Sequence, residues 1–183
     1  ALAGIPGTVG AAVRMNAGAH GREIGDLLLA ARVVDRRGND RWLERDALGL
    51  GYRSSGLGPE AWVVEVRLAA RPAAPGAGGR IRALLARRRA AQPVHLPSAG
   101  SIFKNPEAAP AWRLIRDAGL AGHRLGNAQI SPQHANFIVN LGGATAAEVE
   151  GLMALARRRV RERFGVELEP EVVVLGEPAP GPR

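Results

Sequence analysis

Cysteine is absent from the 183 residues. That excludes disulfide staples, thiolate metal sites and a cysteine nucleophile together. Aromatic residues are scarce, at 4%, so platforms on which single-stranded bases could stack are few. Lysine is almost missing as well: Lys104 is the only one, and the formal charge of +8 is carried by arginine. No apolar run approaches the roughly 20 residues of a membrane helix, and no signal peptide opens the chain. These gaps are those expected of a protein of the reducing cytoplasm with no membrane partner. The arginine excess leaves two readings open. One is nucleic-acid binding by phosphate neutralisation; the other is an enzyme with anionic substrates.

Hydrophobic residues make up 46% of the chain, enough for a packed core. Residues 31–35 and 41–45 flank the turn Arg36-Arg37-Gly38-Asn39-Asp40 and predict a hairpin, with a third strand over 62–70. A flexible break over 72–79 precedes an Arg-rich helix over 80–91, whose Ile81, Leu84 and Leu85 share one face. Pro93 and Pro97 mark a second break. The expected organisation is a first unit over 1–91, a second over 92–176, and a disordered tail over 177–183. In the second unit Pro110 can open a helix that stops at Gly119, and 136–140 reads as a buried strand. Thr145 and Glu148 form a capping box ahead of a long helix ending near Phe164, stopped by Gly165. Residues 166–175 read as a final strand pair or bent strand. Mixed helices and strands with hairpins predict an α+β fold.

The familiar nucleotide fingerprints fail. Gly56–Ala61 matches G-x-G-x-x-A in form, but Pro59 and the β-rich segment after it open no helix. The four histidines lack metal-ligand spacing, so no metal site is expected. The run Gly4-Ile5-Pro6-Gly7-Thr8-Val9-Gly10 is more informative. Its glycines let main-chain N–H groups approach a flat or anionic ligand, and Asn16 and Gly18 add an amide and a further bare backbone. A tight turn accounts for the same residues equally well. Tyr52 and Arg53 stand in a loop, where the guanidinium can clamp a carboxylate or simply face solvent. Ser101, Lys104 and Asn105 lie between Gly100 and Pro106 in a rigid polar loop. Ser101 can donate a proton, or serve as a cap or turn hydroxyl. His134 and Asn136 would stand at the mouth of the buried strand, with His134 either a donor to substrate or a satisfied core histidine. Glu171, ahead of the apolar run VVVL, is placed for partial burial and so needs a partner.

The ordered set GIPGTVG, MNAGA, YRSS, GSIFKNP, DAGLAG, HANFIVN and LEPEVVVLG resembles the UDP-N-acetylenolpyruvoylglucosamine reductases over the whole chain except its tail. The resemblance implies the remaining part of an FAD-binding domain of the PCMH/VAO type, followed by an α+β substrate-binding domain whose last strand returns to the first unit. It implies a monomeric flavin-dependent oxidoreductase acting on a C=C bond in peptidoglycan synthesis. FAD, reduced by NADPH, would pass hydride to the enolpyruvyl ether of UDP-N-acetylglucosamine enolpyruvate. By match to the motifs, Ser101 would protonate the neighbouring carbon, while Arg53 and Glu171 hold and polarise the carboxylate. Tyr52, Lys104, Asn105 and His134 would contact substrate, and residues 4–10 with Asn16 and Gly18 would line the flavin. His20, Leu57 and Asn127 depart from the residues usual in the family. The family also carries an earlier segment with a second glycine-rich loop that grips the FAD pyrophosphate. The sequence opens without Met at Ala1-Leu2-Ala3, so truncation is expected. A flavin-free fragment is therefore the nearest rival reading, and a nucleic-acid-binding protein the second.

Overall fold

The structure, a computed structural model, describes residues 2–176; the expected tail over 177–183 lies outside the described residues. The chain divides into two compact units, Ala1–Arg87 and Arg88–Arg183. The division falls inside a helix, a few residues before Pro93.

In the first unit, helix α1 (Val9–Arg14) opens on Thr8, whose hydroxyl accepts the Ala11 N–H at 3.1 Å. The hairpin β1 (Gly18–Ala19) and β2 (Arg22–Glu23) turns through His20 and Gly21, both with positive φ. Strands β3 (Leu28–Asp35), β4 (Asp40–Glu44) and β5 (Ala61–Leu68) form an antiparallel sheet in the order β4-β3-β5. The hairpin expected from 31–45 is thus present. Asp35 closes its turn, accepting the N–H groups of Arg37 and Asn39 and the Asn39 amide. One face of β3 supplies Ala31 and Val33 to a core shared with Val13, Ile24, Leu28 and Leu48. On the other face Arg32 meets Asp40 and Glu65, and the Arg67 guanidinium lies 4.1 Å over the Trp42 ring.

Helix α2 (Ala77–Ala91) forms as expected, with Leu84 and Leu85 half-buried. It has no buried residue, and Ile81 is exposed. Alanine and arginine propensity sustain it more than burial does.

In the second unit, strands β6 (Ser98–Ser101), β7 (Arg124–Leu125), β8 (Ala128–Ile130) and β9 (Phe137–Asn140) form an antiparallel sheet in the order β6-β9-β8-β7. Helix α3 (Ala111–Asp117) starts after Pro110, and α4 (Ala146–Phe164) runs from the Thr145 capping box to Gly165. Both halves of the box are made: Glu148 N–H to Thr145 Oγ1 at 3.2 Å, and Thr145 N–H to Glu148 Oε2 at 2.9 Å. Leu152, Ala156 and Val160 recur every four residues and bury one stripe of α4. With Ile102, Phe103, Ile115, Ile130, Ile138 and Leu168 they form the core. Full burial of such a side chain contributes about 1.5–3 kcal/mol.

The final strand expected over 166–175 does not form. Among the described residues the segment makes one isolated bridge, Phe103 to Pro170, in place of a strand. Pro170 has no N–H to donate, so a ladder cannot propagate through it. Val172 packs on the core, whereas Val173, Val174 and Leu175 are exposed, Leu175 most of all at 88%. Among the described residues no helix is long and apolar enough to cross a membrane.

Candidate functional site

Tyr52 and Arg53 occupy the two central positions of a tight turn closed by Gly51 and Ser54, whose main chains exchange hydrogen bonds of 3.1 and 3.3 Å. Arg53 has φ +49, a left-handed conformation that costs a non-glycine residue on the order of 1–3 kcal/mol. Its guanidinium donates to the Gly18 carbonyl at 2.7 Å, the Asn16 carbonyl at 3.4 Å and Glu23 Oε1 at 3.3 Å. The Arg53 side chain is only 18% exposed. It is held firmly, whereas the Tyr52 ring beside it, 5.0 Å from the guanidinium carbon, is exposed.

Asn16 is buried, and its side chain is engaged by the fold. Its oxygen accepts the Gly25 N–H at 3.1 Å, and its amide donates to Glu23 Oε2 at 2.7 Å and to the Gly51 carbonyl at 2.9 Å. Sequence reasoning missed Glu23, because nothing near it in the chain marks its two partners.

The glycine run divides in two. Gly4, Pro6, Gly7 and Thr8 are exposed and Ile5 half-buried, whereas Val9 and Gly10 already belong to α1. Gly7 has φ +113 and nothing within 4 Å of where a Cβ would stand. The N–H groups of Gly7 and Thr8 have no hydrogen-bond partner among the described residues. Gly10 is different: a Cβ there would lie 2.7 Å from the Val63 carbonyl oxygen. Its bareness serves the packing of α1 on β5. Gly18 carries the carbonyl that receives Arg53.

In the second unit Ser101 ends β6, half-buried, and its hydroxyl makes no hydrogen bond among the described residues. Residues 169–172 cross the segment that follows it. Lys104 N–H donates to the Glu169 carbonyl at 2.9 Å, and Glu171 N–H to the Ile102 carbonyl at 2.7 Å. Glu171 thereby comes to the segment immediately after Ser101, although 70 positions of sequence separate serine and acid. Lys104, expected to meet a phosphate or carboxylate, holds Glu169 at 2.6 Å. Glu169 is mostly exposed, so the pair adds little stability. The Asn105 oxygen accepts the Ala111 N–H at 3.0 Å and so supports the start of α3.

His134 and Asn136 do not share a mouth. Asn136 is buried at 3%, with both ends of its amide on the Phe103 main chain. His134 is half-buried, its ring edge-on to Phe137 at 4.9 Å between centroids. Its Nδ1 is buried without a hydrogen bond, and desolvation holds its pKa below the ordinary value. The neutral ring is therefore the resting form.

Residues 92–175 match the family model described as the C-terminal domain of UDP-N-acetylenolpyruvoylglucosamine reductase. The UDP-N-acetylenolpyruvoylglucosamine reductase of Methylococcus capsulatus is 51% identical over 178 residues, 96% of this chain and 58% of that protein. That of Acidiphilium cryptum is 49% identical, over 98% of this chain and 59% of its own length. The crystal structure of the Thermus caldophilus UDP-N-acetylenolpyruvylglucosamine reductase superposes with a TM-score of 0.79 at 43% identity, covering 93% of this chain and 61% of that one. Fold and matches together define the second unit as a reductase C-terminal domain. Residues 92–175 are thus a UDP-N-acetylenolpyruvoylglucosamine reductase C-terminal domain, and nearly the whole chain is similar to these reductases. It spans a little under two thirds of the length of these relatives.

Proposed function

We propose that this chain carries the reacting residues of a flavin-dependent, NADPH-using reductase that converts UDP-N-acetylglucosamine enolpyruvate to UDP-N-acetylmuramate. The observation that carries this reading is the meeting of Ser101 and Glu171 about one short segment, with a serine hydroxyl that makes no hydrogen bond among the described residues. The chemistry supplied by bound FAD is a hydride equivalent, drawn from NADPH and delivered to the methylene carbon of the enolpyruvyl ether.

The chain's own groups do the rest. Negative charge develops toward the substrate carboxylate as the double bond is reduced. A fixed guanidinium, Arg53, offsets that charge without reorganising, and Glu171 polarises the same end. Ser101 then gives its hydroxyl proton to the carbon beside the carboxylate, completing a saturated lactyl ether. A serine hydroxyl is a poor acid in water, so this step requires a site closed to solvent. Tyr52 and the neutral His134 offer a phenol and an imidazole for substrate contact. The residues present fit FAD in part. Gly7 and Thr8 offer open main-chain N–H groups beside bare space, whereas the Asn16 amide is spent on the fold.

The test is Ser101→Ala in the full-length protein. Flavin reduction by NADPH should proceed as in the wild type, while product formation falls by roughly 10²–10⁴-fold. Equal turnover would remove Ser101 from the reaction. A colourless preparation that stays colourless with added FAD would favour the flavin-free reading.

A further inference from the structure

We propose that Glu23 is a positioning residue for Arg53, acting through the guanidinium and touching no substrate itself. The inference rests on the reading of Arg53 as the group that meets the substrate carboxylate.

The geometry points to it from both ends of the Glu23 carboxylate. One oxygen, Oε2, receives the buried Asn16 amide at 2.7 Å; the other, Oε1, receives Arg53 at 3.3 Å. The Glu23 N–H is pinned in turn to Asp26 at 3.0 Å. An acid held at its backbone and on one oxygen cannot swing away, so its second oxygen is a fixed anchor. The same Asn16 amide also grips the Gly51 carbonyl at 2.9 Å. Gly51 is the first residue of the turn that carries Arg53. One buried amide therefore fixes both the turn that presents the arginine and the acid that orients it. Asn16 and Gly18 complete the cradle, their carbonyls lying 3.4 and 2.7 Å from the guanidinium.

This arrangement answers two local difficulties. The second central position of such a turn favours glycine or asparagine when φ is positive, and Arg53 sits there at φ +49. An arginine side chain left to itself also samples many rotamers. Glu23 restricts that freedom with charge as well as geometry.

The experiment compares Glu23→Gln and Glu23→Asp with wild type in the full-length, FAD-loaded protein. Gln keeps the size and an acceptor for the Asn16 amide but removes the charge; Asp keeps the charge. Calorimetry measures the affinity for the enolpyruvyl nucleotide and for UDP-N-acetylglucosamine, which lacks the carboxylate, alongside thermal unfolding. Glu23→Gln should weaken the enolpyruvyl nucleotide about tenfold or more and leave UDP-N-acetylglucosamine unchanged, with Glu23→Asp recovering part of the loss. Unaltered affinity for the enolpyruvyl nucleotide in Glu23→Gln overturns the role. So does an equal loss for both nucleotides with a lowered unfolding temperature that Asp does not restore. If wild type itself fails to distinguish the two nucleotides, the reading of Arg53 falls first and Glu23 with it.

Discussion

The side chain of Asn136 closes two hydrogen bonds on the main chain of Phe103, accepting its N–H at 3.0 Å and donating to its carbonyl at 2.8 Å. All four groups are buried, and the pair locks β9 to the segment that carries Ser101 and Lys104. Asn136 is thus a structural clamp.

Asn136→Ala leaves two buried main-chain groups of Phe103 without partners. Each costs about 1–3 kcal/mol, so a loss of roughly 2–5 kcal/mol is expected, read as a lower urea midpoint at unchanged slope. Asn136→Asp should be nearly as damaging at neutral pH, because an ionised carboxylate cannot donate to the Phe103 carbonyl.

The two halves of the α4 cap should differ in cost. Thr145→Ala removes one hydrogen bond, at about 1 kcal/mol. Glu148 also accepts the Asn127 N–H at 3.3 Å, in the turn between β7 and β8. Glu148→Ala should therefore destabilise more than Thr145→Ala in thermal unfolding, and the double variant should lose less than the sum of the two single losses.

Gly10 and Gly7 should respond differently to alanine. At Gly10 the added Cβ meets the Val63 carbonyl oxygen at 2.7 Å, and overpacking of this kind costs about 1–3 kcal/mol. A lowered unfolding temperature is expected without any ligand. Gly7→Ala meets no atom, so its cost is confined to the strain of φ +113. If Gly10→Ala is as stable as wild type, the close approach of α1 to β5 is not as described.

The His134 ring sets a pH dependence. Its folded pKa lies below the ordinary value because burial disfavours the cation. The unfolded chain therefore binds the proton more readily, and stability is full above the ordinary histidine pKa of about 6.5. It should decline as pH falls from there toward the lower folded pKa. His134→Gln should flatten this part of an unfolding-temperature profile between pH 7 and 5. An identical slope in the variant would assign the dependence to other groups.

Elements whose causes lie within a few residues were legible before any coordinates. The turn after Asp35, the Thr145 cap, the Gly165 stop and the helix after Pro110 each depend on neighbours at most six positions away, and all formed. Composition misled in one place. The VELEPEVVVL stretch has strand composition, but Pro170 removes a donor and only one bridge results.

The chemistry-bearing residue types and their order along the chain were therefore settled by the sequence, and so was the resemblance to the reductases. What each side chain does with its hydrogen bonds was decided in three dimensions. Asn16 finds Gly51, Arg53 finds Glu23, Asn136 finds Phe103, and Lys104 finds Glu169, across separations of 30 to 65 residues. The physical reason is range. Caps and turns are closed by local backbone geometry, whereas a hydrogen bond between distant segments depends on angstrom-scale placement that only the packed cores impose.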